Sequence, residues 1–252
     1  MSKIFAIYPI DKSTSTKFLN RINTFEKRNL GPDWHCYKIH FSDEDHEECL
    51  RISKVERFIF YMGHGGEAKL CGACGKYGEM SVDAIAKEEN PEFYIKDEFI
   101  NGGNISEFKN QIFFCFSCNS NRNTPKSLGR LAIQSGVLSF VGFGDIPTDY
   151  VEGVAFSKKC IAVYKGLILK IVKQALLITA KNNGSVYSLV RLIQILTTKE
   201  IRGCVKIGTS SFYISLIAVM SEYLYSVAAF LFFRLCHFQM PPESCISLIY
   251  AP

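Results

Sequence analysis

The most informative part of the chain reads Phe58-Ile59-Phe60-Tyr61-Met62-Gly63-His64-Gly65, an apolar run that leads directly into a histidine between two glycines. A second run of this kind, Ile112-Phe113-Phe114-Cys115-Phe116-Ser117-Cys118-Asn119-Ser120-Asn121, leads into a cysteine among small polar residues. Strands that are apolar throughout are typical of parallel sheets covered on both faces. Ligands of such sheets bind beyond the carboxyl ends of the strands. The sequence therefore predicts that His64 and Cys118 lie at one edge of the sheet, side by side if the two strands are neighbours.

The rest of the chain alternates short apolar segments with segments of helical periodicity. This alternation predicts an α/β fold with a mostly parallel central sheet flanked by helices on both faces. The other predicted strands are residues 3–9, 35–41 and 137–143, and the predicted helices follow Ser13, begin near Ser42 and Ser127, run from 150 to 181 with an interruption at Gly166, and cover 186–198. Residues 67–105 are predicted to be a loop-rich insertion with one short helix near 82–87. We expect one domain over 1–205 and an apolar C-terminal segment over 206–252.

The composition excludes several classes of protein. The chain has 252 residues, of which 48% are hydrophobic, so it can fill a sizeable core and disorder is not expected. The net charge of +5 comes from scattered basic residues, which does not indicate nucleic-acid binding. Most of the ten cysteines stand in apolar runs rather than in turns, and the N-terminus lacks the pattern of a signal peptide. We therefore expect a cytoplasmic protein with reduced thiols.

The residue types at the two strand ends suit nucleophilic catalysis. A thiol nucleophile needs a nearby base, usually a neutral imidazole, which makes Cys118 the candidate nucleophile and His64 the candidate base. Attack on a carbonyl creates an oxyanion that backbone N–H groups can hold. Gly65 and Cys118 are the candidate donors, because glycine lets its N–H approach closely. Taken singly, a His-Gly turn or a cysteine at a strand end is more often structural; the joint occurrence favours the catalytic interpretation.

The two motifs resemble the caspase-like superfamily, in which the histidine precedes the cysteine by about 50 residues. The similarity is closest to the CHAT branch, the caspase-like proteins related to separase, where one strand ends in His-Gly and the next in a small residue, Cys, Asn or Arg, Ser or Thr, and Gly. Asn121 stands where that family usually has the last Gly. Residues 128–142, with a helix, a glycine and a strand, resemble the following part of that family. The Pro-containing acidic segment Asp145-Ile146-Pro147-Thr148-Asp149 and residues 162–166 resemble it as well. The resemblance extends over roughly residues 3–200.

The resemblance implies a caspase-like three-layer sandwich and a cysteine endopeptidase that needs neither a metal nor an organic cofactor. It also implies a protein or peptide substrate, an activating sensor protein as a companion, and a role in microbial defence or stress response. Two alternatives remain open. One is a catalytically inactive caspase-like interaction module, and the other is a cysteine hydrolase or transferase that acts on a different class of substrate.

Three carboxylates are candidates for substrate binding. Members of the superfamily that cut after Arg or Lys place a carboxylate beside the catalytic pair. Asp11 follows the first predicted strand, and Asp145 and Asp149 follow the fifth. We expect Asp11, and after it Asp145, to bind a basic side chain of the substrate. The alternative for Asp11 is to cap the helix that follows it.

Two further features have structural alternatives. Cys71 and Cys74 have the spacing of half a zinc site, but no second pair of ligands accompanies them, which favours an ordinary loop and no metal. The apolar run 209–235 is divided by Glu222, and a carboxylate at mid-bilayer costs about 2.5 kcal/mol or more. Core or partner-binding helices are therefore favoured over a membrane span.

Overall fold

The structure of the chain is a computed structural model that describes residues 3–10, 14–40, 42–73, 98–120, 124–144, 146, 157–207, 216, 220 and 232–233. Its described strands are β1 (Ile4–Pro9), β2 (Trp34–Ile39), β3 (Phe58–Met62), β4 (Lys69–Cys71), β5 (Glu98–Asn101), β6 (Ile112–Phe116), β7 (Ser139–Val141) and β8 (Phe232–Phe233). Its described helices are α1 (Thr14–Lys17), α2 (Asn20–Leu30), α3 (Asp43–Ser53), α4 (Leu128–Gln134), α5 (Lys158–Lys181) and α6 (Val186–Ile207), with short 3-10 turns at Gly31–Asp33 and Ile105–Phe108.

The central sheet has the strand order β2-β1-β3-β6-β7-β8 among the described residues. β2, β1, β3, β6 and β7 are parallel to one another, and β8 runs antiparallel beside β7. The carboxyl ends of β1, β3, β6 and β7 therefore lie at one edge of the sheet. β3 and β6 are neighbours, as predicted.

Each face of the sheet carries its own hydrophobic core. On the first face, alternate strand residues such as Phe60 and Phe114 pack with buried residues of α2, α5 and α6. On the second face, the intervening residues such as Ile59 and Phe113 pack with α3, α4 and the antiparallel pair β4–β5. Burial of both faces explains why β1 and β3 are apolar at every position. The predicted α/β fold, a three-layer sandwich with a mostly parallel sheet between helices, is confirmed.

Two helical predictions were wrong in detail. The predicted interruption at Gly166 does not occur, because α5 continues through this residue from Lys158 to Lys181. A Cβ at Gly166 would meet no heavy atom within 4 Å, so the glycine lies on an open part of the helix surface. Its cost of about 1 kcal/mol is offset by the buried apolar stripe of α5. α6 is also longer than predicted and continues past Thr198 to Ile207.

Several residues beyond 205 belong to the body of the fold. Leu216 and Met220 are buried in the core of the first face, and Phe232–Phe233 forms the strand beside β7. The division of the chain at residue 205 stays a prediction. No described helix combines the length and the apolarity needed to cross a membrane. The predicted helix near 82–87 lies outside the described residues.

Candidate active site

The ends of β3 and β6 bring the two predicted motifs to equivalent positions. Met62 pairs with Phe116 as the last residues of the two strands, and the Gly63 N–H donates to the Phe116 carbonyl over 3.3 Å. His64 lies two residues beyond Met62, and Cys118 lies two residues beyond Phe116. Met62 and Phe116 both face the first core, and Cys118 packs, partly exposed, against that same core.

The backbone of His64 is held by two groups from its own side of the sheet edge. The N–H of Cys71 donates to the His64 carbonyl over 3.0 Å. The buried hydroxyl of Tyr61 lies 2.7 Å from that same carbonyl oxygen and 2.6 Å from the carbonyl oxygen of Cys71. The phenol has one proton, so it donates to one of these carbonyls at a time. The hydroxyl of Tyr61 therefore links the turn that contains His64 to β4.

Gly63 makes room for this tyrosine. A Cβ at Gly63 would lie 2.6 Å from the Tyr61 hydroxyl oxygen and 3.2 Å from Cδ of Pro9. Such contacts are too short for any side chain, so the hydrogen bond of Tyr61 depends on a glycine here. Glycine is therefore required at position 63 for packing against Tyr61.

Gly65 lies directly on the cysteine turn. A Cβ at Gly65 would be 2.8 Å from Oγ of Ser117 and 3.1 Å from the carbonyl oxygen of Cys118. Gly65 also forms an antiparallel bridge with Leu70, and the hydrogen bonds on either side of that bridge join Gly66 to Lys69 and Cys71 to His64. In such a pair the N–H of Gly65 points away from β4. It is therefore not used in pairing the two segments.

The turn that carries Cys118 is fixed by the segment that follows β7. Asn119 has a positive φ of 56°, a conformation that asparagine tolerates better than most residues, and its N–H donates to the Gly144 carbonyl over 2.7 Å. Ser120 donates its hydroxyl proton to the Ser117 carbonyl and accepts from the Phe143 N–H, both at 3.2 Å. The small polar residues around Cys118 therefore close the turn.

The thiol of Cys118 itself donates to the carbonyl oxygen of Ile146 over 3.4 Å. Ile146 is buried in the first core, so its side chain anchors this carbonyl above the cysteine. The segment after β7 therefore contacts the sulfur directly through this carbonyl.

The environment of Cys118 differs from that of the deeply buried cysteines. Burial raises the pKa of Cys115, which lies inside β6, well above its usual value. Burial likewise raises the pKa of Cys49 and that of Cys160. These thiols are small hydrophobic core residues. Cys118 and Cys71 are both half-buried near the sheet edge, and Cys118 is the one that follows β6.

Ser117 is a residue of this region whose importance the sequence did not indicate. Its side chain is 2% exposed, and its hydroxyl has no hydrogen-bond partner among the described residues. It lies between the two turns, in the space that a side chain on Gly65 would need. Tyr61 was also missed, although a hydroxyl in an otherwise apolar strand was a visible signal.

The three predicted substrate-binding carboxylates, Asp11, Asp145 and Asp149, lie outside the described residues. Their described neighbours Ile10 and Gly144 are at the same sheet edge as the two motifs, since they follow β1 and β7. Cys74 also lies outside the described residues. Over the part of the chain that the structure describes, no group of three or more His, Cys, Asp or Glu side chains could hold a metal ion.

The segment after His64 and the segment after Cys118 are also linked by hydrogen bonds. The side chains of Glu67 and Thr124 are hydrogen-bonded, and the Leu128 N–H donates to the Glu67 carbonyl over 2.7 Å. The hairpin after His64 is therefore fastened to the segment that follows Cys118.

No protein-family model, curated protein or solved structure matches this chain.

Proposed function

We propose that this chain is a caspase-like cysteine endopeptidase of the CHAT type, with Cys118 as nucleophile and His64 as base. The observation that carries the proposal is the packing of Gly65 against Ser117 and the Cys118 carbonyl. This packing joins the histidine turn to the cysteine turn at the edge where parallel sheets bind their ligands. The partial exposure of Cys118 supports it further.

The reaction would proceed by acyl transfer. The Cys118 thiol gives its proton to the His64 imidazole, and the sulfur attacks the carbonyl carbon of the peptide bond. The N–H groups of Gly65 and Cys118 hold the resulting oxyanion. When the C–N bond breaks, His64 gives the proton to the leaving amine. Water then attacks the thioester carbon and gives one proton to His64. The C–S bond breaks, the carboxylic acid leaves, and His64 returns the proton to the sulfur, which restores the thiol.

The substrate is a protein that is cut after a basic residue. Asp11 is the first candidate to bind that basic side chain, and Asp145 and Asp149 are the next candidates. The companion is a sensor protein that switches the enzyme on, and the setting is microbial defence or stress response in the cytoplasm. The hydrogen bond from Cys118 to Ile146 supports the idea of a switch, because the sulfur must leave that carbonyl to become a nucleophile.

The test is covalent labelling by a peptide that ends in Arg and carries a thiol-reactive group. Wild type is compared with Cys118→Ala, His64→Ala and the control Cys71→Ala, which removes the other half-buried thiol near the site. We expect labelling at Cys118, weakened by His64→Ala and unchanged by Cys71→Ala. The same peptide ending in Asp should label poorly.

Three results would count against the proposal. Equal labelling in wild type and His64→Ala would remove the histidine from the reaction. No labelling of Cys118 with or without candidate sensor proteins would favour the inactive interaction module. Labelling by an ester probe but not by peptides would instead favour a hydrolase or transferase of another substrate class.

A further inference from the structure

The outer edge of β2 is paired with no further strand among the residues that the structure describes. β2 is the last strand of the sheet on its side, and among the described residues only β1 pairs with it. The Ile10 N–H donates to the Ile39 carbonyl, so the backbone groups of Ile39 face β1. Since these groups alternate along a strand, the N–H and C=O groups of Cys36 and Lys38 face outward. The Trp34 N–H agrees with this, because it donates to Gly31 rather than to β1.

A cleft of about 700 Å³ lies between this edge and α2. Its lining includes Asn23, Lys27, Arg28, Trp34, Cys36 and Lys38. Lys27, Arg28 and Lys38 carry a full positive charge, and none of the described lining residues carries a carboxylate. Lys27, Arg28 and Lys38 are all exposed, so their charges are available to a partner.

The charges are concentrated around Cys36. Burial raises the pKa of the Cys36 thiol to about 12, while the nearby ammonium groups of Lys38 and Lys27 lower it. Both lysines line the cleft together with Cys36. The cleft therefore has a local excess of positive charge.

The remaining polar groups of the cleft are already used within the fold. The indole N–H of Trp34 donates to Asn23. Asp45 accepts from the Tyr37 hydroxyl and from the His40 N–H, so its carboxylate lies at the end of this edge, beyond Lys38. What the cleft offers a partner is a row of alternating backbone donors and acceptors beside three cations.

We propose that the edge of β2 with Lys27, Arg28 and Lys38 is a docking site for an extended acidic peptide segment of a partner protein. Such a segment would add a strand to the sheet, with its backbone pairing to Cys36 and Lys38. Its alternate side chains would face α2, so carboxylates at every second position would meet the cations. Free phosphate would satisfy the cations but not the exposed carbonyl groups, which favours a peptide. The proposal does not depend on peptidase activity.

The test measures binding of a fluorescein-labelled ten-residue peptide of alternating Glu and Val by fluorescence anisotropy, using the full chain with Cys118→Ala to prevent cleavage. Three comparisons accompany it: the same peptide with Lys in place of Glu, the acidic peptide N-methylated at alternate residues, and competition by inorganic phosphate. We expect binding of the acidic peptide, at least tenfold weaker binding of the N-methylated peptide, and none of the Lys peptide.

Charge reversal locates the site. Lys38→Glu and Arg28→Glu should each weaken binding of the acidic peptide at least tenfold, while Lys199→Glu, an equal change at an exposed position of α6, should leave it within twofold. Lys38→Gln, a milder change, should weaken binding severalfold if Lys38→Glu does not fold. If the N-methylated and unmodified acidic peptides bind with equal affinity, or if phosphate competes completely, the cleft is a simple anion site and the proposal is wrong. Absence of binding, or equal losses with Lys199→Glu, would overturn it.

Discussion

The Cys118 sulfur donates a hydrogen bond to the carbonyl oxygen of Ile146, 3.4 Å away, across the space between two loops that follow different strands. Ile146 is 4% exposed, so this carbonyl is fixed by a buried side chain. The position of the thiol is thereby linked to the packing of the segment after β7.

We expect Ile146→Ala to make Cys118 react faster with iodoacetamide at neutral pH. Loss of the anchor frees the carbonyl to move, and a hydrogen bond of this kind is worth about 0.5–1.5 kcal/mol, which corresponds to a roughly twofold to tenfold change in rate. The control is Ile168→Ala, which removes a buried isoleucine from α5 far along the same core. If both variants accelerate alkylation equally, general loosening of the fold is the cause and the coupling is wrong.

Gly65→Ala should reduce labelling of Cys118 by the Arg peptide probe by on the order of a hundredfold, because a displacement of about 1 Å has that effect in a preorganised site. The added Cβ would collide with Ser117 and with the Cys118 carbonyl, so the two turns must separate. Gly66→Ala is the matched control, since its Cβ would meet only Cγ of Lys69 at 3.8 Å. Similar labelling of the two variants would show that the close contact at Gly65 is not needed.

Tyr61→Phe should weaken the same labelling while destabilising the fold by about 1–3 kcal/mol, the usual cost of leaving a buried carbonyl unsatisfied. The lost hydroxyl serves the carbonyls of His64 and Cys71, so the histidine turn loses its support from β3. Labelling rates and chemical unfolding are to be compared with those of Tyr187→Phe, which changes an exposed tyrosine on α6. Loss of stability with unchanged labelling would limit Tyr61 to a structural role.

Glu26 should make the protein less stable as the pH rises. Burial raises the pKa of this carboxyl from 4.5 to about 8, while the positive charge of Lys173 lowers it, and both of its oxygens lack hydrogen-bond partners in the described fold. Between pH 4.5 and 8 the unfolded chain has lost the proton and the folded chain still holds it. The free energy of unfolding should therefore fall across this interval, by on the order of a few kcal/mol at ~1.4 kcal/mol per pKa unit, and level off above it.

Urea unfolding of wild type and Glu26→Gln between pH 4 and 9 measures this dependence. The amide cannot ionise, so Glu26→Gln should be more stable than wild type at pH 8 and show a flatter profile. Glu47→Gln, at an exposed position of α3, should keep the wild-type profile. A wild-type stability that rises between pH 5 and 8 would contradict the assignment.

Much of the fold could be predicted because its signals are local. The apolar runs that became β3 and β6 are continuous since both faces of the sheet are buried. Ser42, Ser127 and Ser157 each accept a backbone N–H of the helix that follows, and the first two were predicted as helix starts. The short strands β4 and β5 were not predicted, because three or four residues carry too little periodicity to be recognised.

The sequence by itself determined that a histidine and a cysteine follow two buried strands, because alternation of strands and helices requires parallel strands whose carboxyl ends share an edge. Only the tertiary structure decided the rest: that Met62 pairs with Phe116, that Gly65 rests on the Cys118 carbonyl, and that Ile146 holds the thiol. Register and close contact depend on how segments distant in sequence pack together. No local pattern of residues encodes such packing, because each contact depends on side chains contributed by several elements at once.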